Sequence, residues 1–351
     1  MSSATTRIRS IATVVVMGTS LALTGTVTAQ ASSHSATATA TAETFTLGKG
    51  LYQTAYSERN HVLWATTAVG RPPVTSSSLL KVDPRTLAVK QTITPPTTNA
   101  TTGAVEAVYG VAVDDEHNTV WTTNTRDNSV AVYDQRTGAH LATLPGVAHA
   151  REIVVDERHN TVWASAFGEG SVVAFDSRTL KEKERLTVEG SAPTGLALNE
   201  KTGDLYAADL NNDRVIEFGH KDDEPRFLPA GDGPISVSLS KNGKTAYTAN
   251  QTSGDLSVID LKKGAVAATV ATGAGALAVA TDEKSGRVLV ANRTAANVTI
   301  VDPKKAAVVQ TLATAANPNH IEIANGSAYV VDKSGAGADG QDQVTRIRLA
   351  R

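Results

Sequence analysis

The chain contains no cysteine. That absence removes thiol nucleophiles, cysteine-ligated metal centres, a lipid-bearing N-terminal cysteine and disulfides. Aromatic residues make up only 4% of the sequence and there are two methionines, so any core must be built mainly from small aliphatic side chains. No apolar run approaches the roughly 20 residues of a membrane-spanning helix; the best stretch, 11–23, is interrupted by Gly18, Thr19 and Ser20. Neither sign of charge dominates, with 33 basic residues against 35 acidic and a net charge of −2. A chain so balanced does not recruit phosphate backbones by bulk charge.

What the N-terminus has is a three-part pattern. Arg7 and Arg9 precede the apolar stretch, no acid occurs in the first 31 residues, and Ala29-Gln30-Ala31 supplies a small-x-small site. This layout predicts a secretory signal peptide over 1–31, cut after Ala31, and hence a secreted, extracellular protein with no membrane-spanning segment after cleavage. "SSHSATATATAE" (32–43) offers nothing large to bury and reads as a flexible tether. The folded domain is expected over 44–351.

Within that domain the sequence repeats itself. An aromatic or large apolar residue opening a short strand recurs at Trp64, Trp121, Trp163, Tyr206, Tyr247, Leu289 and Tyr329, a period of roughly 42 residues apart from one longer first step. Each copy begins with a short apolar strand such as "EIVVD" or "GLALN". A polar hairpin ("DEHN", "ERHN", "EKTG", "KNGK") leads to the aromatic strand. A third strand ends in Asp ("SVAVYD", "SVVAFD", "DLSVID", "NVTIVD"), where the carboxylate can accept backbone N–H groups of the following turn, and a fourth completes the unit. Four short strands per repeat without helical periodicity predict an all-β fold, a seven-bladed β-propeller of four-stranded antiparallel blades. The last copy ends without a fourth strand, and an orphan strand, "ETFTLGKG" (43–50), stands before the first. The N-terminal strand is therefore expected to complete the last blade and close the ring, with 43–48 antiparallel to 343–349. The three tryptophans occupy the repeat's packing column and read as core.

The strings "LYAAD", "AYTAN", "VLVAN" and "AYVVD", each followed by a polar loop, "V-x-V-x-D" and "xxTG", resemble the YVTN-type β-propeller repeat. The chain as a whole resembles the secreted bacterial YncE-like group over roughly 44–351. The resemblance implies the propeller fold. Functions in and around the group include DNA binding, lactone hydrolysis and lyase chemistry, and none has a motif that matches this sequence residue by residue.

Loops entering the first strand and joining the second to the third gather at one end of a propeller's channel. Aligning the copies places Tyr52, Tyr109, Arg151, Thr194, Ile235, Leu277 or Gly275, and Asn319 beside His320 at that mouth, with Glu106 just upstream of Tyr109. The second-to-third loops add Arg126, Phe167, Glu169, Asn211, Arg293 and Lys333; Asn124, Asn250 and Asn292 share one position there and read as structural, their amides bonding the turn backbone. Ligand-binding residues are expected to be Tyr52, Tyr109, Arg126, Arg151, Thr194, Arg293, Asn319 and His320. Arg71, Arg126, Arg151, Arg293 and Lys333 would make this end locally basic, and Tyr52, Tyr109 and Phe167 would stack on an aromatic ligand.

Motifs with chemistry are scarce. "NGKT" (242–245) lacks the upstream glycine of a phosphate loop, and "DLNND" (209–213) lacks the glycine and closing glutamate of a calcium loop. "DKSGAGADGQD" (332–342) reads as a solvated acidic loop. His320 and Glu322 fall on the same side of a strand and are the only catalytic candidates; no second inner-strand histidine, GxSxG or HExxH joins them. No cofactor or protein metal site is expected. Three readings follow: a non-catalytic, monomeric propeller binding a small-molecule or macromolecular ligand at the funnel; a lactonase- or lyase-like enzyme using His320, Glu322 and a divalent metal; and single-stranded nucleic-acid binding, which the charge balance disfavours.

Overall fold

A computed structural model describes residues 39–220 and 224–350. The expected signal peptide and all but the last residues of the expected tether lie outside the described residues. Among the described residues no helix is long and apolar enough to cross a membrane.

The strands form seven four-stranded antiparallel sheets. Their inner strands are Leu51–Ser57, Val108–Asp114, Ala150–Asp156, Pro193–Asn199, Pro234–Leu239, Ala276–Asp282 and Pro318–Ala324, named here blades 1 to 7 in that order. Each inner strand packs beside the next, and the last packs against the first, which makes the array a closed seven-bladed ring. The long first repeat holds a short extra strand pair, Thr97–Asn99 with Ala104–Val105, between blades 1 and 2.

Closure works as the sequence implies. Thr41–Gly48 pairs antiparallel with Asp342–Arg348 as the outer strand of blade 7, with Phe45 opposite Val344 and Thr44 opposite Thr345. The strand begins at Thr41, within the stretch read as tether, because Ala40 is anchored: its N–H donates to Gln310 Oε1 (3.0 Å) and its C=O accepts from Gln310 Nε2 (2.9 Å).

Seven apolar clusters fill the spaces between neighbouring blades. Each contains one member of the repeating large-residue column. Trp64 packs on Val111 and Tyr133, Trp121 on Ile153 and Phe175, and Trp163 on Leu196 and Ile216. The column is therefore the device by which one blade grips the next, and the tryptophans are core. Truncating such a residue costs about 3–5 kcal/mol.

One local feature positions everything at the channel mouth. Every inner strand carries a bulge near its start. In blades 1 to 4 the residues skipped by the ladder are Tyr52 and Gln53, Tyr109 and Gly110, Arg151 and Glu152, and Thr194 and Gly195; in blades 5 to 7 they are Ile235, Leu277 and Asn319. A bulge releases residues from pairing and re-aims their side chains. A hydroxyl on the second strand holds three of these bulges. Thr123 Oγ1 accepts from Gly110 N–H (2.8 Å) and donates to Arg151 C=O of the next blade (2.7 Å). Ser165 Oγ accepts from Glu152 N–H (2.9 Å) and donates to Thr194 C=O (2.8 Å). Thr66 Oγ1 accepts from Gln53 N–H (3.2 Å) and donates to Tyr109 C=O. The blades approach so closely here that a Cβ on Gly110 would lie 2.5 Å from Arg151 O, which is why this position is glycine.

Candidate functional site

The bulges surround a cavity of about 470 Å³ at one end of the channel. Tyr52, Tyr109, Arg126, Arg151, Thr194, Arg293, Asn319 and His320, the eight residues expected from the sequence to form the site, all line it. So do Ile235 and Leu277. Lys333 sits one layer behind, and Arg71 is exposed and does not line the cavity. Glu106 is turned inward, accepting from Asn124 Nδ2 (3.0 Å) and Thr143 Oγ1 (2.7 Å). Glu169 forms an ion pair with Arg185. The asparagines of the shared column are fully buried, but their amides bond neighbouring side chains more than turn backbone: Asn124 reaches Ser129 Oγ (3.1 Å) and Asn250 reaches Ser257 Oγ (2.9 Å).

The cations are held mainly by neutral acceptors and aromatic rings. Arg126 Nε donates to Tyr109 Oη (3.3 Å), and Arg293 Nη1 donates to Asn319 Oδ1 (2.6 Å). Asn319 Nδ2 in turn donates to Tyr52 C=O (3.0 Å), doing at the junction of blades 7 and 1 what the hydroxyls do at the first three junctions. The Arg151 guanidinium lies 5.1 Å from the centroid of Phe167 and has no hydrogen-bond acceptor among the described residues. Lys333 Nζ donates to Leu51 C=O (2.5 Å) and sits 3.4 Å from the Tyr52 ring centroid. Burial, with Arg293 nearby, pulls the Lys333 ammonium down to about 8. Among the described residues none of these four cations makes an ion pair, although ion pairs are common elsewhere on the ring.

This geometry changes the expected role of the rings. Tyr52 has Lys333 over its ring and Tyr109 tilted against it at 4.1 Å. Phe167 carries Arg151 and His149. Two of the three rings expected to stack on a ligand, Tyr52 and Phe167, thus carry the protein's own cations, which they hold in place.

Gln53 and Glu152 line the cavity without having been anticipated. The signal for Glu152 was a lone acid opening the apolar strand "REIVVD", immediately after Arg151. Its Oε2 accepts from Gln53 Nε2 (3.0 Å) and its Oε1 from Ile153 N–H (3.3 Å). Burial pushes the carboxyl up to about 7. His320 and Glu322 do face the channel together, but each is engaged by the backbone of blade 1. His320 Nδ1 accepts from Thr54 N–H (3.3 Å) and Glu322 Oε1 from Tyr56 N–H (3.1 Å). Enclosure between blades pulls the imidazole down to about 4 and pushes the Glu322 carboxyl up to about 8. A histidine accepting at Nδ1 is neutral with its proton on Nε2, as assigned from the bonding. No group of three or more His, Asp or Glu side chains among the described residues could hold a metal ion. The loop 332–342 is tied down by Asp342, which accepts from Gly50 and Leu51 N–H (2.9 Å each) and Gly335 N–H (2.9 Å).

Comparison with known proteins matches this architecture. The uncharacterized protein YncE of Salmonella typhi is 28% identical over 244 residues, covering 65% of this chain and 67% of that protein. The Escherichia coli K12 protein of the same name is 27% identical over 241 residues, covering 64% and 66%. The chain is a seven-bladed β-propeller similar in sequence to the YncE proteins. The matched segment spans about two thirds of the YncE proteins' own length. No protein-family model matches the chain. Among solved structures, hydrazine synthase of Kuenenia stuttgartiensis superposes on the propeller with a TM-score of 0.71 at 15% identity, over 86% of this chain and 96% of that one, a likeness of fold alone.

Proposed function

We propose that this YncE-like propeller is an exported, non-catalytic binding protein whose funnel takes an anionic ligand. The observation that carries the reading is a cavity of about 470 Å³ lined by Arg126, Arg151 and Arg293, none of which makes an ion pair among the described residues. Guanidinium groups held at a cavity rim in this way, with Arg151 largely desolvated, are poised for charge-assisted hydrogen bonds to a carboxylate or phosphate. Export rests on the pattern of residues 1–31. The enzymatic alternative is disfavoured because the basic nitrogen of His320, Nδ1, and one oxygen of Glu322 accept from blade 1 backbone, which leaves His320 a hydrogen-bond donor but no free base. The nucleic-acid alternative is disfavoured because stacking platforms are a main source of single-strand affinity, and the Tyr52 and Phe167 rings are occupied.

The test is calorimetric titration of the purified chain with inorganic phosphate, acetate, citrate and a thymidine oligonucleotide at low salt. Charge-assisted bonds contribute about 1.5–3 kcal/mol each. The double variant Arg151→Gln, Arg293→Gln should therefore lose on the order of 100-fold in affinity for whichever anion binds. Equal affinity in the variant, or binding of the oligonucleotide alone, would remove the reading.

A further inference from the structure

Resting on the anion-binding reading, we propose that the ligand is a hydroxylated carboxylate of the sugar-acid class, its charge held at the rim by Arg151 and its hydroxyls read at the floor by Glu152, Ser236 and His320. The argument turns on the floor, which differs in chemistry from the rim. Glu152, Ser236 and His320 line both the funnel and the channel segment of about 420 Å³ beneath it. They offer both kinds of hydrogen-bonding group. His320 spends Nδ1 on Thr54 N–H, so its Nε2–H is a donor, and it has no protein acceptor among the described residues. Glu152 accepts one bond on each oxygen, from Gln53 and Ile153, and keeps further lone pairs. Ser236 Oγ accepts from Val279 N–H (3.3 Å), leaving its own proton to give.

A floor that mixes a carboxyl acceptor with imidazole and hydroxyl donors is complementary to hydroxyl groups, which both donate and accept. It is a poor match for a second anion, because a carboxylate facing a carboxylate is repulsive. A floor made only for anions would carry further cations in place of Glu152. Burial holds the Glu152 carboxyl up to about 7, which limits its cost beside a bound anion near neutral pH. The cations over Tyr52 and Phe167 disfavour a flat aromatic group as the main determinant. The cavity's volume falls within the range of small-molecule sites and admits a monosaccharide acid.

Titrations of the full propeller with D-galacturonate, D-galactose, acetate and inorganic phosphate test the proposal. Galacturonate should bind roughly tenfold or more tightly than both galactose, which lacks the charge, and acetate, which lacks the hydroxyls. Glu152→Gln should narrow the preference for galacturonate over acetate severalfold, and unfolding temperature establishes that the variant is folded. Acetate or phosphate binding as tightly as galacturonate would overturn the hydroxyl reading while leaving the anion site standing. If no anion binds at all, both readings fall together.

Discussion

Thr123→Val isolates the bond that joins two blades at the site. Thr123 is fully buried, so valine keeps its shape and packing while deleting the hydroxyl. Two backbone groups then lose a partner: Gly110 N–H, 2.8 Å from Oγ1, and Arg151 C=O, 2.7 Å away. Leaving a buried N–H unsatisfied costs about 1–3 kcal/mol, and the carbonyl adds less because it has a second lone pair. A total of about 2–3 kcal/mol is expected, corresponding to roughly 3–5 °C in unfolding temperature for a propeller of this size. Denaturant and thermal unfolding followed by tryptophan fluorescence would report it, because Trp121 lies in the cluster between blades 2 and 3. The backbone of Arg151 also loses its anchor, so anion affinity should fall although no ligand-facing group has changed. A loss below about 0.5 kcal/mol would refute the reasoning. It would mean that the apolar clusters alone set the spacing of the blades, as they must where Ala208, Ala249 and Ala291 stand at the equivalent positions.

Two further predictions concern the ring itself. Burial raises the Glu322 carboxyl from an ordinary 4.5 to about 8, so the folded state holds this proton more tightly than the unfolded chain, and the penalty grows as pH rises from about 4.5 and is complete above 8. Glu322→Gln should therefore unfold at a higher temperature than the parent at pH 9, with the gap closing towards pH 5; parallel pH profiles would contradict this. Deleting residues 1–48 removes the outer strand of blade 7 together with its Phe45–Val344 and Thr44–Thr345 pairings. Blade 7 should then lose amide hydrogen-exchange protection first and the protein should self-associate through the bared edge; an unchanged oligomeric state with protected 342–348 amides would contradict it.

The fold was legible because packing repeats. A blade needs one large residue in the same place each time, so Trp64 through Tyr329 declare the period, and the orphan strand before the first copy declares the closure. The rim was legible for the opposite reason. Positions such as Tyr52, Arg151 and Asn319 share a place in the repeat without sharing a residue type, as expected of side chains freed from the ladder by a bulge. What could not be read was which groups were already taken. Tyr52 reads as a stacking surface, but Lys333 lies over it; His320 and Glu322 read as a free acid–base pair, but blade 1 takes the basic nitrogen of one and an oxygen of the other. These contacts cross the ring between residues more than 260 positions apart, and no local spacing encodes which side chain meets which. Glu152 was visible as a lone acid, but its partner Gln53 stands 99 residues earlier.

The way the ring closes also sets a clock. Most blades are built from hairpins between neighbouring stretches of chain, but the outermost pairing of blade 7 joins Thr44 to Thr345 across 301 residues. By the logarithmic law of loop closure, joining ends so far apart costs about 3 kcal/mol more than closing a ten-residue hairpin. The local blades can form early and independently, while this one must wait until the others have drawn the two ends together. Folding therefore has an assigned final event. Until it occurs the gap between the first and last blades stays open, and with it the rim, because the Asn319–Tyr52 bond spans that same seam.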